Sequence, residues 1–183
     1  AFRRKREGRT NYKARLALLK SGKPRLVIRR SNRHLLLQLV VYEPDGDKVL
    51  VSFCSKALLK QGWARSTKSV PACYLSGVLL ARAGAQHGVT EAIVDIGLQK
   101  HRAGTRLCAA IKGVQDGGLQ VPADESIFPS AERIAGKHIG AEAEVASFAE
   151  KLGITLPKPA ASAAVKAEKQ PKAAPQKSKK REE

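Results

Sequence analysis

The chain has 183 residues, a formal net charge of +18, and 43% hydrophobic but only 4% aromatic side chains. That length fits one domain with tails or two small domains, and no apolar run approaches the roughly 20 residues of a membrane span. The start lacks the apolar core of a secretory signal. Methionine is absent, so the initiator is expected to have been removed or the start trimmed.

Cys54, Cys73 and Cys108 lie far apart with no CxxC pair. This speaks against a zinc ribbon or finger and for reduced thiols in a cytosolic compartment.

The charge is unevenly spread. Residues 1–33 carry thirteen positive side chains against the single acid Glu7, a net +12, whereas residues 34–157 carry thirteen against twelve, and residues 158–183 eight against three. A nearly neutral middle between two basic ends points to a polyanionic partner, because each neutralised phosphate releases condensed counterions. Solubility alone does not need clustering of one sign.

In chain order, residues 1–9 read as a basic arm whose one aromatic is Phe2, of the kind that is disordered alone and orders on RNA. Thr10 is the expected N-cap of a short helix over Asn11–Lys20. Its apolar face is Tyr12, Leu16 and Leu19, and Ser21-Gly22-Lys23-Pro24 stops it. Three strands follow, Arg25–Arg30, His34–Tyr42 and Lys48–Ser55. They are joined by Ser31-Asn32-Arg33 and by the turn signal Glu43-Pro44-Asp45-Gly46-Asp47, which predicts an antiparallel meander. Alternation places Leu35, Leu37, Leu39 and Val41 on the core face with Val49, Val51 and Phe53. The other face mixes His34, Gln38, Tyr42, Lys48 and Ser52 with Leu36, Val40 and Leu50. It is too apolar to stand bare, so a protein or RNA partner is expected over part of it.

Ala57–Trp63 reads as a helical turn, with Trp63 expected in packing rather than base stacking. Pro71 opens a helix over Ala72–His87. Glu91–Ile96 has the continuous apolar centre of a buried parallel strand. Gly97–Gly104 is a loop carrying Lys100, His101 and Arg102. Thr105 is expected to cap a helix with the apolar stripe Leu107, Ala110, Ile111 and Val114, ending at Gly117-Gly118. A helical turn at Ser130–Ala135 and an amphipathic helix over Ala141–Leu152, with Val145, Phe148 and Leu152 on one face, complete the folded part. From Pro157 the composition turns to Ala, Lys, Pro, Gln and Ser, which cannot bury a core and is expected to be disordered.

The resulting order β-β-β-α-β-α suggests a mixed α/β, ribonuclease-H-like three-layer core. Nucleases of that architecture need several acids converging on metal ions, and Asp95 is the only acid in the interior of a predicted strand. His34, His87, His101 and His138 have no ligand spacing. Neither GxGxxG nor GxxxxGK[ST] occurs. The expectation is therefore no enzyme, no metal, no cofactor and no small-molecule substrate. The residues point instead to a structured RNA binder using an arm, a basic helix and one sheet face. Arginine outweighs lysine in the first segment, which suits forked contacts to phosphate. The candidate contacts there are Arg3, Arg4, Lys5, Arg6, Arg9, Tyr12, Lys13, Arg15, Lys20, Lys23 and Arg25. Lys100, His101 and Arg102 of the later loop join them, with Arg106 just beyond.

The stretch LLKSGKPRLVIRRSNRH (18–34) resembles the signature of the universal large-subunit ribosomal protein eighteen family, in its archaeal and eukaryotic-like form. The likeness continues through QGW (61–63), PACYLSG (71–77), EAIVDIGL (91–98), AAIKGVQDGGLQVP (109–122) and IFPSAERIAGKHI (127–139). Val78-Leu79-Leu80-Ala81-Arg82 and Lys68-Ser69 depart from the pattern. The resemblance implies a non-catalytic, ribosome-bound cytoplasmic protein of the large subunit. It also implies binding to 5S rRNA in the central protuberance beside the other universal 5S-binding protein, contacts to large-subunit rRNA, and a ribonuclease-H-like fold. It carries RNA contact over to the basic arm and to Arg29, Arg30, Ser31, Asn32, Arg33 and His34. The expected organisation is an arm with its helix over 1–24, an α/β domain with a helical extension over 25–155, and a basic tail over 156–183. The competing reading is a non-ribosomal RNA chaperone or sequence-tolerant RNA binder.

Overall fold

Turn chemistry and alternating apolar residues fix the first half of the fold. The computed structural model describes residues 2–157. Strands β1 (Arg25–Arg30), β2 (Leu35–Val41) and β3 (Lys48–Cys54) form the expected antiparallel meander. A short strand β4 (Ile93–Asp95) then pairs parallel with β1, giving a mixed four-stranded sheet of order β3-β2-β1-β4. The tight β1–β2 turn is closed by Ser31, whose amide and hydroxyl both donate to the His34 carbonyl oxygen. The expected tail lies, from residue 158 on, outside the described residues.

One face of the sheet is core. Leu26 and Ile28 of β1 and Leu35, Leu37 and Leu39 of β2 are all buried. The expected alternation fails beyond that point. Leu39 pairs with Val51 but Val40 with Val49, so Leu50 is an extra residue in β3. A bulge of this kind reverses the side-chain alternation of one strand relative to its neighbour. Val49, expected in the core, is therefore exposed, Val41 is half-buried, and Val40, expected on the outer face, is buried.

Helices α3 (Ala57–Lys60), α4 (Val70–Gln86) and α5 (Arg106–Asp116) follow in sequence, with α4 packed against β2 and β3. The N-cap of α4 is Ser69, whose hydroxyl accepts from the Ala72 amide. Glycines set the α4–α5 separation. A Cβ on Gly113 would lie 2.9 Å from the Tyr74 carbonyl carbon, and one on Gly77 would lie 3.0 Å from the Val114 amide nitrogen. Backbone meets backbone at both positions, so neither helix can accept a side chain there. Tyr74 is fully buried, and its hydroxyl donates to Asp116 across the same contact.

Short helices α6 (Ala131–Ile134) and α7 (Glu142–Lys151) close the fold. Val145 and Phe148 are buried and Leu152 is half-buried, matching the predicted face. Trp63 is buried and meets Phe148 edge-on at a centroid distance of 5.0 Å, as a packing residue should. Arg82 of α4 donates to the Leu152 and Gly153 carbonyl oxygens at the end of α7, supplying partners for a helix C-terminus. Arg65 forks onto Glu144, and that hydrogen bonding holds the carboxyl below its usual range.

Four local expectations change. Arg3–Arg6 of the arm form one helical turn, α1, rather than remaining irregular. The next helix, α2, spans Tyr12–Leu19, and its cap is Asn11, whose side chain accepts from the Ala14 amide. Thr10 instead accepts from Arg4 Nε at 2.9 Å. Leu16, placed on the apolar face by spacing, is 57% exposed, because α2 turns Tyr12, Arg15, Leu18 and Leu19 inward. Thr105 occupies the N-cap of α5 but its hydroxyl donates to the Arg102 carbonyl oxygen, so it does not cap the helix amides.

Gly113→Ala is expected to lower stability by about 1–3 kcal/mol in urea unfolding, since overpacking outweighs the roughly 1 kcal/mol that alanine adds to a helix. An unchanged midpoint would show that α4 and α5 are not in backbone contact. Burial pushes the Cys73 thiol up to about 12. Alkylation of Cys73 at pH 8 is therefore expected only on unfolding, and labelling as fast as a free thiol would contradict the packing of α4.

Candidate nucleic-acid interface

The ends of β1 and β4, the loop after β4, and the N-terminal segment with helix α2 enclose a cleft of about 950 Å³. Its basic side chains come from three separated segments: Arg4, Arg9 and Arg15 from the arm and α2, Arg29 and Arg30 from the end of β1, and Lys100 from the loop after β4. Asp95 is the only carboxylate in the lining.

An ion-pair network builds this cleft. Asp95 is buried at the end of β4, with one oxygen 3.2 Å from Arg25 Nη1 and the other 3.1 Å from Arg29 Nη2. The second oxygen also accepts from the Gly97 amide at 2.9 Å, which fixes the start of the Lys100 loop. Arg29 adds a hydrogen bond to the Asp95 carbonyl oxygen at 2.8 Å. Arg25 Nη2 in turn lies 2.7 Å from Asp47 Oδ2, a charge contact without an aligned hydrogen bond, and Arg25 Nε has no partner. Arg15 of α2 donates to the same Asp47 oxygen at 2.7 Å. The chain Asp95–Arg25–Asp47–Arg15 thus fastens α2 to the sheet.

The candidate contacts separate by environment. Arg25 is only 3% exposed and is occupied on both sides, so it is reassigned from RNA contact to internal support. Arg15 and Arg29 line the cleft but are neutralised by Asp47 and Asp95. Lys23 pairs with Glu91 at 2.6 Å. Arg3 and Arg9 share Glu7 while staying largely exposed. Lys5, Arg6, Lys13, Lys20 and Arg30 are exposed, and only the backbone amide of Arg30 is engaged, with Gln99. Asn32 and Arg33 form the exposed tip of the β1–β2 turn. Ser31 and His34 hold that turn, with His34 Nδ1 3.0 Å from Thr67 Oγ1. Lys100 faces the cleft, whereas His101 Nε2 lies 3.6 Å from Cys108 Sγ and Arg102 is exposed. Arg106 is half-buried and lines a separate cavity with Arg133, which lies in the block IFPSAERIAGKHI but was not among the candidate contacts.

Phe2 and Tyr12 meet at a centroid distance of 5.0 Å, and Phe2 is 69% exposed. The arm's two aromatics thus form one platform at its base, suited to stacking an unpaired base. No helix among the described residues is long and apolar enough to cross a membrane.

Fold and cleft together define a basic α/β protein whose cleft suits a polyanion. Comparison with known proteins makes the assignment specific. Residues 1–91 match the family described as ribosomal large subunit proteins 60S L5 and 50S L18. The large ribosomal subunit protein uL18 of Korarchaeum cryptofilum is 50% identical over 151 residues, covering 82% of this chain and 74% of the relative. Those of Methanoregula boonei and Methanoculleus marisnigri are each 49% identical, over 80% and 75% of this chain and 84% and 79% of their own lengths. The chain belongs to the uL18 family of large ribosomal subunit proteins. It is a ribosome-bound structural component of the translation machinery, with ribosomal RNA and ribosomal proteins as its partners.

Asp95→Ala leaves the buried Arg25 with only Asp47 and is expected to cost about 3 kcal/mol in equilibrium unfolding, as for a buried pair broken on one side. Glu91→Ala, which breaks the exposed pair with Lys23, should cost under about 1 kcal/mol. Equal losses in the two variants would remove the network from its supporting role.

Proposed function

We propose that this protein binds 5S rRNA and helps anchor it in the central protuberance of the large subunit, contacting large-subunit rRNA and standing beside the other universal 5S-binding protein. The observation that carries the reading is the convergence of Arg4, Arg9, Arg30 and Lys100 on one cleft in a uL18-family chain. Residues 1–24 act as the reaching arm, 25–155 as the rigid scaffold, and the basic segment 156–183 as a further source of attraction to RNA. Arginine forks grip phosphate oxygens in pairs, while the Phe2–Tyr12 platform supplies a stacking surface that reads base geometry rather than charge. The turn Ser31–His34 presents Asn32 and Arg33 to the same partner.

The role is architectural, in the cytoplasm, and needs no cofactor. Asp95, the acid that a nuclease would require, spends its carboxylate on Arg25, Arg29 and the Gly97 amide.

The test is binding to 5S rRNA and to a size-matched unrelated RNA across a salt series. Both curves should fall by on the order of 0.7–0.9 log units in affinity per log unit of salt for each neutralised phosphate. The 5S curve should stay well above the control as salt rises. Arg9→Ala combined with Lys100→Ala should weaken 5S binding at least roughly tenfold, about 1.4 kcal/mol. Coincident curves for the two RNAs would favour a sequence-tolerant chaperone instead.

A further inference from the structure

A second cavity, of about 360 Å³, lies beyond Arg30, which lines both it and the main cleft. Three arginines from three separate elements converge on it: Arg30 at the end of β1, Arg106 at the start of α5, and Arg133 in α6. No carboxylate is in its lining. None of the three guanidinium groups has an ion-pair partner among the described residues. By contrast Arg15, Arg25 and Arg29 are neutralised by Asp47 or Asp95. Three unpaired positive groups around one concavity repel each other, and the fold tolerates that most readily where an anion enters.

The floor of the cavity is shaped for the same ligand. Gly104, at φ +68°, brings bare backbone to the wall, and a Cβ there would come within 3.3 Å of Arg133 Nη1. Thr105 turns its hydroxyl away to the Arg102 carbonyl oxygen, so no side chain caps α5, and its first amides lack intrahelical partners. A helix end alone would define nothing; here it adds neutral donors to three converging arginines.

We propose that this pocket binds one phosphate group of the RNA partner, continuing the RNA path from the main cleft past Arg30, with Arg106 and Arg133 as its ligands. The inference rests on RNA as the partner of the cleft. It adds Arg133 to the contacts and gives Arg106 a defined role. The phosphate can be an internal phosphodiester or a 5′-terminal monoester, and the same chemistry serves both.

The test uses the full chain and 5S rRNA transcripts carrying either a 5′-hydroxyl or a 5′-monophosphate, titrated over a salt series. R106Q/R133Q is compared with the wild type and with K56Q/K60Q, which removes the same charge from exposed side chains outside both cavities. The pocket variant is expected to bind roughly tenfold more weakly, with a log–log salt slope lower by about 0.7–0.9, the signature of one lost phosphate contact. The control should change far less. A loss with both transcripts identifies an internal phosphodiester, and a loss confined to the phosphorylated transcript identifies the chain terminus. Wild-type affinity and slope in R106Q/R133Q, or a loss no greater than in the control, would overturn the pocket while leaving 5S binding by the cleft intact. No RNA binding by the wild type would overturn both. Arg106 is half-buried, so a lowered melting temperature in the double variant shifts the test to R133Q alone, on an exposed side chain, where a roughly threefold or greater loss is expected.

Discussion

The carboxylate of Asp95 is the constraint on which the interface depends. It sits at the end of a three-residue strand, which by itself contributes few ladder hydrogen bonds. Two arginines from β1 meet it, and the parallel pairing of β4 with β1 places them there, with Arg25 opposite Ile93 and Val27 opposite Asp95. One of those arginines passes the connection to Asp47 in the β2–β3 turn, and Asp47 passes it to Arg15 of α2. Helix α2 buries no residue of its own, so this electrostatic chain does much of what an apolar face would do elsewhere. A buried network of this type adds little net stability compared with a well-packed apolar equivalent, but it fixes one arrangement, because any other leaves a charge unpaired.

That arrangement explains how a strongly basic protein keeps a defined binding surface. Arginines used inside the network are neutralised and hold position, whereas Arg4, Arg30 and Lys100 keep charge directed at the cleft, joined by Arg9, which shares Glu7 with Arg3. The division of labour is between supporting cations and cations left open in the cleft, and both kinds occur side by side in the same short segment. Arg29 and Arg30 are neighbours in sequence, yet strand alternation sends one to Asp95 and leaves the other free. In a structural ribosomal protein this matters, since affinity from charge alone falls steeply with salt while fixed geometry retains discrimination.

The packing behind the sheet gives the cleft its rigidity. Gly77 and Gly113 let α4 and α5 meet backbone to backbone, which locks the helix layer against β2 and β3. The loop between β4 and α5 is then suspended between two fixed ends, Asp95 below and the first turn of α5 above. Lys100 and Arg106 are carried at either side of it, and their separation is set by the core rather than by the loop.

Much of this was legible in the chain itself. The strand Arg25–Arg30, the meander, the helix opened by Pro71 and the buried Trp63 followed from turn residues and apolar periodicity, because those signals act over a few residues. The blocks of residues 18–139 also carried the family. Spacing could not reveal that β3 contains a bulge, and so Val40 and Val49 exchanged places; the bulge depends on pairing between strands, not on either strand alone. Nor could it separate Arg25, buried at 3% exposure, from Arg30, exposed five positions later, because charge in sequence is the same whether or not a partner waits in space. Arg133 lies more than a hundred residues from Arg30 and no local pattern links them. The sequence alone therefore determined the basic α/β class, the order of the main elements and the family, while their ends moved by one to three residues, as with β4 at Ile93–Asp95 rather than Glu91–Ile96. Only the tertiary structure decided which cations support the fold and which stay open in the cleft, since that choice is made by acids brought close from distant parts of the chain.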